Sequence, residues 1–170
     1  VKKVYQQKDQ LSLDAEQKTL LENTYEGFVR KGANLSEADK AKFRAISTEL
    51  SKLSLTFDEN VLKETNAYEL VITNKEELSG LPEGELEAAV GRAKAKGKEG
   101  WLFDITQPSF GPFMKYADNR DLRKTLYMAY SSKSFKGDEL DNQENVKRIA
   151  ELRLQLAQLL GYKNYADYVL

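Results

Sequence analysis

The sequence predicts a mostly α-helical fold, a multi-helix bundle with one long amphipathic helix and a small two-stranded β element, and three observations carry that expectation. Phe43, Ile46, Leu50, Leu53, Phe57 and Val61 recur at steps of three and four, which places them on one face of a single helix. Val146, Ile149, Leu152, Leu156, Leu159 and Leu160 repeat the pattern towards the other end. Only two short runs, Tyr68 to Thr73 (YELVIT) and Trp101 to Thr106 (WLFDIT), have the β-branched and aromatic content of strands bounded by polar residues.

Taken in order, Asp14 can cap a first helix over about 15–31, with Leu20, Leu21, Tyr25, Phe28 and Val29 on a broad apolar face and Gly32 as its stop. Ser36 precedes Asp39 in an S-x-x-D arrangement akin to a capping box, which opens the long helix over 37–64. At 1.5 Å per residue such a helix is on the order of 40 Å long, the length of a structural strut. Between the two strands, Pro82 stands where a helix can begin, and Leu86, Ala89, Val90 and Ala93 continue at helical spacing until Gly97. The strands can pair in parallel through that helical crossover or antiparallel, and an isolated pair must pack on helices to be stable. Pro108 and Pro112 predict a turn followed by a short helix over 113–117. Asn119 caps a helix running to about Lys133 with Leu122, Leu126, Ala129 and Tyr130 inward, and Gly137 and Asp138 break the chain. A last strong helix starts near Asn142 and ends at Gly161, and Asn164 caps one more. No repeat and no linker rich in Gly, Ser or Pro appears, so residues 1–170 read as a single helical domain or fragment.

Composition bounds the function. With 41% hydrophobic and 31% charged residues the chain is of the ordinary globular class. Its 26 basic and 27 acidic residues leave a net charge of −1, so no global field gathers nucleic acid or an anionic membrane. No apolar stretch approaches the roughly 20 residues of a membrane span, and positions 1–10 are too polar for a signal peptide. The chain has no histidine and no cysteine, and so lacks the most versatile catalytic and soft-metal side chains. It starts at Val1 and stops at Leu170 inside an apolar, helix-like run, and both ends read as cuts through a longer protein whose chemistry lies elsewhere.

No local motif carries chemistry. Glu76/Glu77, Glu83/Glu85/Glu87 and Asp138/Glu139/Asp141 could in principle serve a glycosidase or a hard cation, but each sits at a turn or helix start, where acids suit the helix dipole and face water. The glycines at 80, 84, 91, 97 and 100 match neither phosphate-binding fingerprint. Lys94, Lys96 and Lys98 beside Trp101 could be a surface for single strands; a solvated helix end explains the same residues. We therefore assign no catalytic, cofactor-binding or metal-ligating residue to this chain.

Three blocks resemble the helical N-terminal half of the M3 family of zinc metallopeptidases: 35–66 (LSEADKAKFRAISTELSKLSLTFDENVLKETN), 108–130 (PSFGPFMKYADNRDLRKTLYMAY) and 141–170 (DNQENVKRIAELRLQLAQLLGYKNYADYVL). They occur in the family's order, with LSGLPE (78–83) between the first and second, and LR-x-x-x-A-x-LLGY-x-x-YADY (152–168) is the most specific. The family includes thimet oligopeptidase, neurolysin, oligopeptidase A and the peptidyl-dipeptidases, the last being the favoured branch. The resemblance implies a parent enzyme that binds zinc through H-E-x-x-H and a downstream Glu, and hydrolyses short peptides in a deep channel of which this region forms part of one wall. It implies the rest of the parent chain as partner, no nucleic acid or membrane, and a bacterial soluble compartment, cytoplasmic or periplasmic. None of the motif is present, so the zinc belongs to the parent and no residue here inherits a catalytic role. The alternative is an independent helical scaffold or adaptor domain whose long helix and Lys94 to Lys98 surface bind a protein.

Overall fold

The computed structural model describes residues 1–170. Eight α-helices and one two-stranded sheet are present, in the predicted order apart from an added first helix: α1 (Lys2–Gln6), α2 (Ala15–Arg30), α3 (Glu37–Ala67), β1 (Leu70–Ile72), α4 (Glu83–Ala95), β2 (Trp101–Phe103), α5 (Gln107–Tyr116), α6 (Arg120–Ser131), α7 (Gln143–Leu159) and α8 (Tyr165–Val169). Short 3-10 turns at Lys8–Gln10 and Lys75–Leu78 complete the path. No helix is long and apolar enough to cross a membrane. The chain forms two compact units, one of Val1–Leu53 with Lys147–Leu170 and one of Ser54–Val146.

In the first unit, local sequence sets the helix ends. Asp14 accepts from the Gln17 N–H at 2.8 Å while the Gln17 side chain accepts from the Asp14 N–H at 3.2 Å, a reciprocal cap on α2. Gly32, at φ +81°, ends the helix as expected. Ser36 accepts from the Asp39 N–H at 3.1 Å at the start of α3. The expected apolar face of α2 is formed but only partly covered: Leu21, Tyr25 and Val29 are half-buried, with Tyr5 of α1 stacked on Tyr25, whereas Leu20 is 68% and Phe28 50% exposed. Periodicity tells which residues share a face, not whether another element lies over it. The Arg148 guanidinium forks onto Glu49, Nε to Oε1 at 2.6 Å and Nη2 to Oε2 at 3.0 Å, linking α7 to α3. Arg30 donates to the Tyr168 carbonyl, and the Tyr168 hydroxyl returns a bond to the Arg30 carbonyl at 3.3 Å, which ties α8 to α2.

The second unit holds the main core: Ile72, Leu78, Leu81, Leu86, Ala89, Phe103, Ile105, Phe113, Ala117 and Leu126. Of the two strand directions left open by the sequence, the antiparallel one occurs, with Leu70 opposite Phe103, Val71 opposite Leu102 and Ile72 opposite Trp101. The strands are shorter than 68–73 and 101–106. Past Phe103 the Asp104 carboxylate accepts from the Thr106 N–H at 2.9 Å, and this local turn takes the backbone out of the ladder. The long helix continues past residue 64 to Ala67, since nothing in the sequence breaks it there.

The segment after β2 departs from expectation. Instead of a proline turn and a helix from 113, α5 begins at Gln107, with Pro108 in its first turn and Pro112 inside. In the first turn the missing N–H has no intrahelical partner to lose, so Pro108 favours a helix start where the sequence predicts a turn. Phe103 and Phe113 then meet edge to face, with centroids 4.7 Å apart, and Phe110 stacks on Tyr130 at 4.0 Å.

Gly100 enters β2 at φ +87°, where a Cβ would collide with the Ile72 carbonyl of the opposite strand. Gly100→Ala is expected to lose about 2 kcal/mol or more, from left-handed backbone strain together with the displaced strand. Urea denaturation measures it, and a midpoint equal to that of the unaltered chain would refute the close approach.

Candidate functional site

The most buried positions on α3 are polar. Asn60 is 8% and Glu64 7% exposed, and both face the connection between α6 and α7. Asn60 Nδ2 donates to Asn142 Oδ1 at 3.0 Å, Asn142 Nδ2 donates to the Phe57 carbonyl at 3.1 Å, and the Asn142 N–H donates to the Ser134 carbonyl at 2.8 Å. The Glu64 carboxylate receives the Ser134 N–H and the Lys136 ammonium. Ser134 is the one non-glycine residue at positive φ, +54°, a conformation uncommon outside glycine that these bonds hold in place. Removing a carboxylate from water is costly, so the Ser134 N–H on one oxygen and the Lys136 ammonium beside the other mark Glu64 as an anchor for residues 132–142. Sequence reading missed this cluster. Its signal was present: Asn60 and Glu64 continue the three-and-four steps of the inner stripe, and polar residues at inward helical positions call for partners.

Asp141 closes the same connection. Its carboxylate accepts from the Gln143 N–H at 2.8 Å and the Gly137 N–H at 2.6 Å, and these backbone bonds hold it below its ordinary value of 3.8. A carboxyl group depressed on folding stabilises fully above its unfolded value and loses that contribution as pH falls through the folded one. Asp141→Ala is thus expected to destabilise at neutral pH, with the difference shrinking to nothing in acid. Denaturation at a series of pH values tests this, and a constant difference would sink it.

A groove of about 230 Å³ is lined by Thr65, Asn66, Tyr68, Glu69, Lys96, Leu102, Asp104 and Thr106. Its charges have internal partners. Lys96 stands 3.3 Å from Glu69, which Lys98 also bonds, and the Lys98 bond is the main reason the Glu69 carboxyl lies below its usual range. Arg92 donates through Nε to the Leu102 carbonyl at 3.0 Å and lies 3.9 Å from Asp104. Burial pushes the Tyr68 phenol up, against the pull of Lys136. The lysine run beside Trp101 is therefore, at Lys96 and Lys98, part of an ion-pair cluster on Glu69. Within the groove the Thr106 hydroxyl donates to the Asp104 carboxylate, whose same oxygen takes the Thr106 N–H, so this pair closes the turn after β2. Elsewhere the acidic groups 76/77, 83/85/87 and 138/139/141 do not converge: no three Asp or Glu side chains group so as to hold a metal ion, and without histidine or cysteine the donor set does not fit a zinc centre.

Within the sequence blocks, polar side chains fix turns and helix ends. In 108–130, Ser109 Oγ accepts from the Asp104 N–H at 3.0 Å, Asn119 caps α6 through the Asp121 and Leu122 N–H groups, and Arg123 bonds the Ala117 and Asp118 carbonyls that end α5. Asp118 is fastened on both its main chain and side chain to Ser79, at 2.8 and 2.7 Å. In 141–170, Gly161 at φ +90° stops α7, the Tyr162 N–H bonds the Ala157 carbonyl at 2.9 Å, and Asn164 caps α8 through the Asp167 N–H at 2.9 Å.

The sequence model of peptidase family M3 matches residues 113–170, the stretch from the second half of α5 through α8. Across 98% of its length the chain is 39% identical to the probable cytosolic oligopeptidase A of Arabidopsis thaliana, of which it covers 24%. It is 36% identical to oligopeptidase A of Escherichia coli (strain K12) over 91% of the chain and 23% of that protein. To the dipeptidyl carboxypeptidase of the same bacterium it is 32% identical over 97% of the chain and 24% of that protein. The oligopeptidase A relatives thus match at higher identity than the peptidyl-dipeptidase branch favoured by the sequence blocks. The chain spans about a quarter of the length of the curated relatives it matches. The blocks, the helical architecture and these similarities together identify the chain as a segment belonging to peptidase family M3.

Proposed function

We propose that this chain is a non-catalytic helical segment of a zinc-dependent peptidase that hydrolyses short peptides, with its fold serving as part of the scaffold around the substrate path. The observation that carries the reading is identity of 36–39% to proteins named oligopeptidase A over nearly the whole chain, not one block alone. The absence of histidine, cysteine and a convergent acidic group supports a scaffold role for these residues. Zinc, water activation and peptide cleavage then belong to the parent polypeptide, whose motif histidines would hold the metal as a Lewis acid. Cleavage of oligopeptides is favoured over C-terminal dipeptide release by the ranking of identities; dipeptide release is the second reading, supported by 32% identity over 97% of the chain.

The parent gene is the first test. An H-E-x-x-H motif with a further Glu downstream supports the peptidase reading, and an unrelated domain would replace it with the adaptor reading. Product analysis on a peptide with an amidated C-terminus separates internal cleavage from dipeptide release. The 170-residue chain alone is expected to bind no zinc at micromolar affinity and to cleave no peptide. Stoichiometric zinc binding in calorimetry would overturn the scaffold assignment.

A further inference from the structure

A two-stranded sheet has two outer edges, and in this chain they differ. Successive residues of a strand turn their N–H and C=O to opposite sides, so the register fixes which groups point outward. The Ile72 carbonyl faces β2, since a Cβ on Gly100 would stand against its oxygen. Leu70 with Phe103 and Ile72 with Trp101 therefore exchange the ladder bonds, and Val71 and Leu102, opposite each other, turn theirs outward. On the β2 side the Leu102 carbonyl is taken by Arg92 Nε at 3.0 Å, and Leu102 is buried. On the β1 side no group of the chain bonds the N–H or C=O of Val71, which is half-buried, and Thr73 beyond it is exposed. One edge is closed and the other is left as a template for a further strand.

We infer that the outer edge of β1 takes up an extended peptide as a third strand, with a carboxylate of that peptide, terminal or side-chain, drawn to Lys96; the inference rests on the peptidase-segment reading, which supplies the peptide. Charge complementarity selects this occupant. Glu69, at the end of the edge, also lines the groove of about 230 Å³. There Arg92, Lys96 and Lys98 face Glu69 and Asp104, three cations against two carboxylates. Lys96 is the least committed of the three: its side chain is 54% exposed, and the carboxylate 3.3 Å away is shared with Lys98. A surplus positive charge beside unpaired backbone groups suits an anionic extended chain. In strand addition the main-chain bonds supply affinity, and the adjoining pocket chooses among peptides. The edge is short, so the peptide is held loosely enough to exchange.

The test adds to the 170-residue chain an acetylated eight-residue peptide of alternating valine and threonine with a free C-terminal carboxylate, and follows hydrogen exchange by NMR. At saturating peptide the Val71 amide is expected to exchange at least about tenfold more slowly, with the Leu102 amide on the closed edge unchanged. No protection at Val71 would overturn the inference, as would equal protection by the same peptide methylated on every backbone nitrogen. The C-terminally amidated peptide is expected to bind about threefold more weakly, and Lys96→Gln to remove that difference. An amidated peptide ending in glutamate regains the affinity if a side-chain carboxylate serves as well as a terminal one. Equal binding of all three would overturn the role of Lys96. Protection of Val71 without peptide that grows with chain concentration would mean that a second copy pairs with the edge. The same protection in the full-length parent would mean that another strand of that polypeptide closes it, and either result overturns the inference. The peptidase reading is tested apart, by hydrolysis in the parent: cleavage with Val71 unprotected sinks this inference alone, and protection without cleavage sinks the peptidase reading alone.

Discussion

Phe113→Ala is expected to lower stability by about 3–5 kcal/mol, the range for removing a fully buried aromatic ring whose surroundings relax only partly. Phe113 is 0% exposed and meets Phe103 edge to face within the cluster that includes Ile105, Leu126, Leu86 and Ile72. That cluster joins α4, α5, α6 and both strands, so few neighbours can move into the space without giving up contacts of their own. A marginally stable segment loses much of its folded population from such a change. Phe113→Leu restores part of the volume and is expected to cost less. Chemical denaturation of both, with the exposed Tyr127→Ala as control, makes the comparison, and a loss at 113 no greater than at 127 would contradict the core described above.

Glu64→Ala ranks second. It removes the acceptor of the Ser134 N–H and the partner of Lys136, and leaving a buried donor unpaired costs about 1–3 kcal/mol. The Lys136 end is exposed enough to regain water, so most of the cost falls on the buried end. Two readouts are expected to move together. Global stability falls by that amount, and backbone amides of 134–142 exchange faster by a larger factor, because the loop opens locally before the core does. Unchanged exchange at these amides would show that Asn142 and Asp141 hold the loop without the carboxylate. Glu64→Gln, which keeps an acceptor oxygen, is expected to fall between the two.

Much of the local structure was legible. The helix spanning Phe43 to Val61, the caps at Asp14, Ser36, Asn119 and Asn164, and the stops at Gly32 and Gly161 all appear where residue type and spacing put them. These features depend on backbone chemistry within about one helical turn, which adjacent residues supply. Pro108 suits a turn and the first turn of a helix equally, and the packing of Phe113, on the same helix, against Phe103 goes with the helical choice. Leu20 and Phe28 were placed on an apolar face that the structure leaves partly uncovered, a matter settled by distant elements. No site residue was assigned from the sequence, and the polar cluster around Glu64 shows itself only once α3 lies against the 132–142 connection.

By itself, then, the sequence determined the helical class, the positions and ends of most elements, the kinship with the M3 peptidases and the lack of soft metal ligands. All of these rest on local stereochemistry or on residue identity. The tertiary structure alone decided the antiparallel pairing of β1 with β2, the coverage of each apolar face and the anchoring of the 132–142 loop. The Glu64 to Ser134 bond joins residues 70 apart and the Asn60 to Asn142 bond residues 82 apart. Buried polar groups at such separations find their partners only when packing closes the chain between them, and no periodicity records which partner that will be.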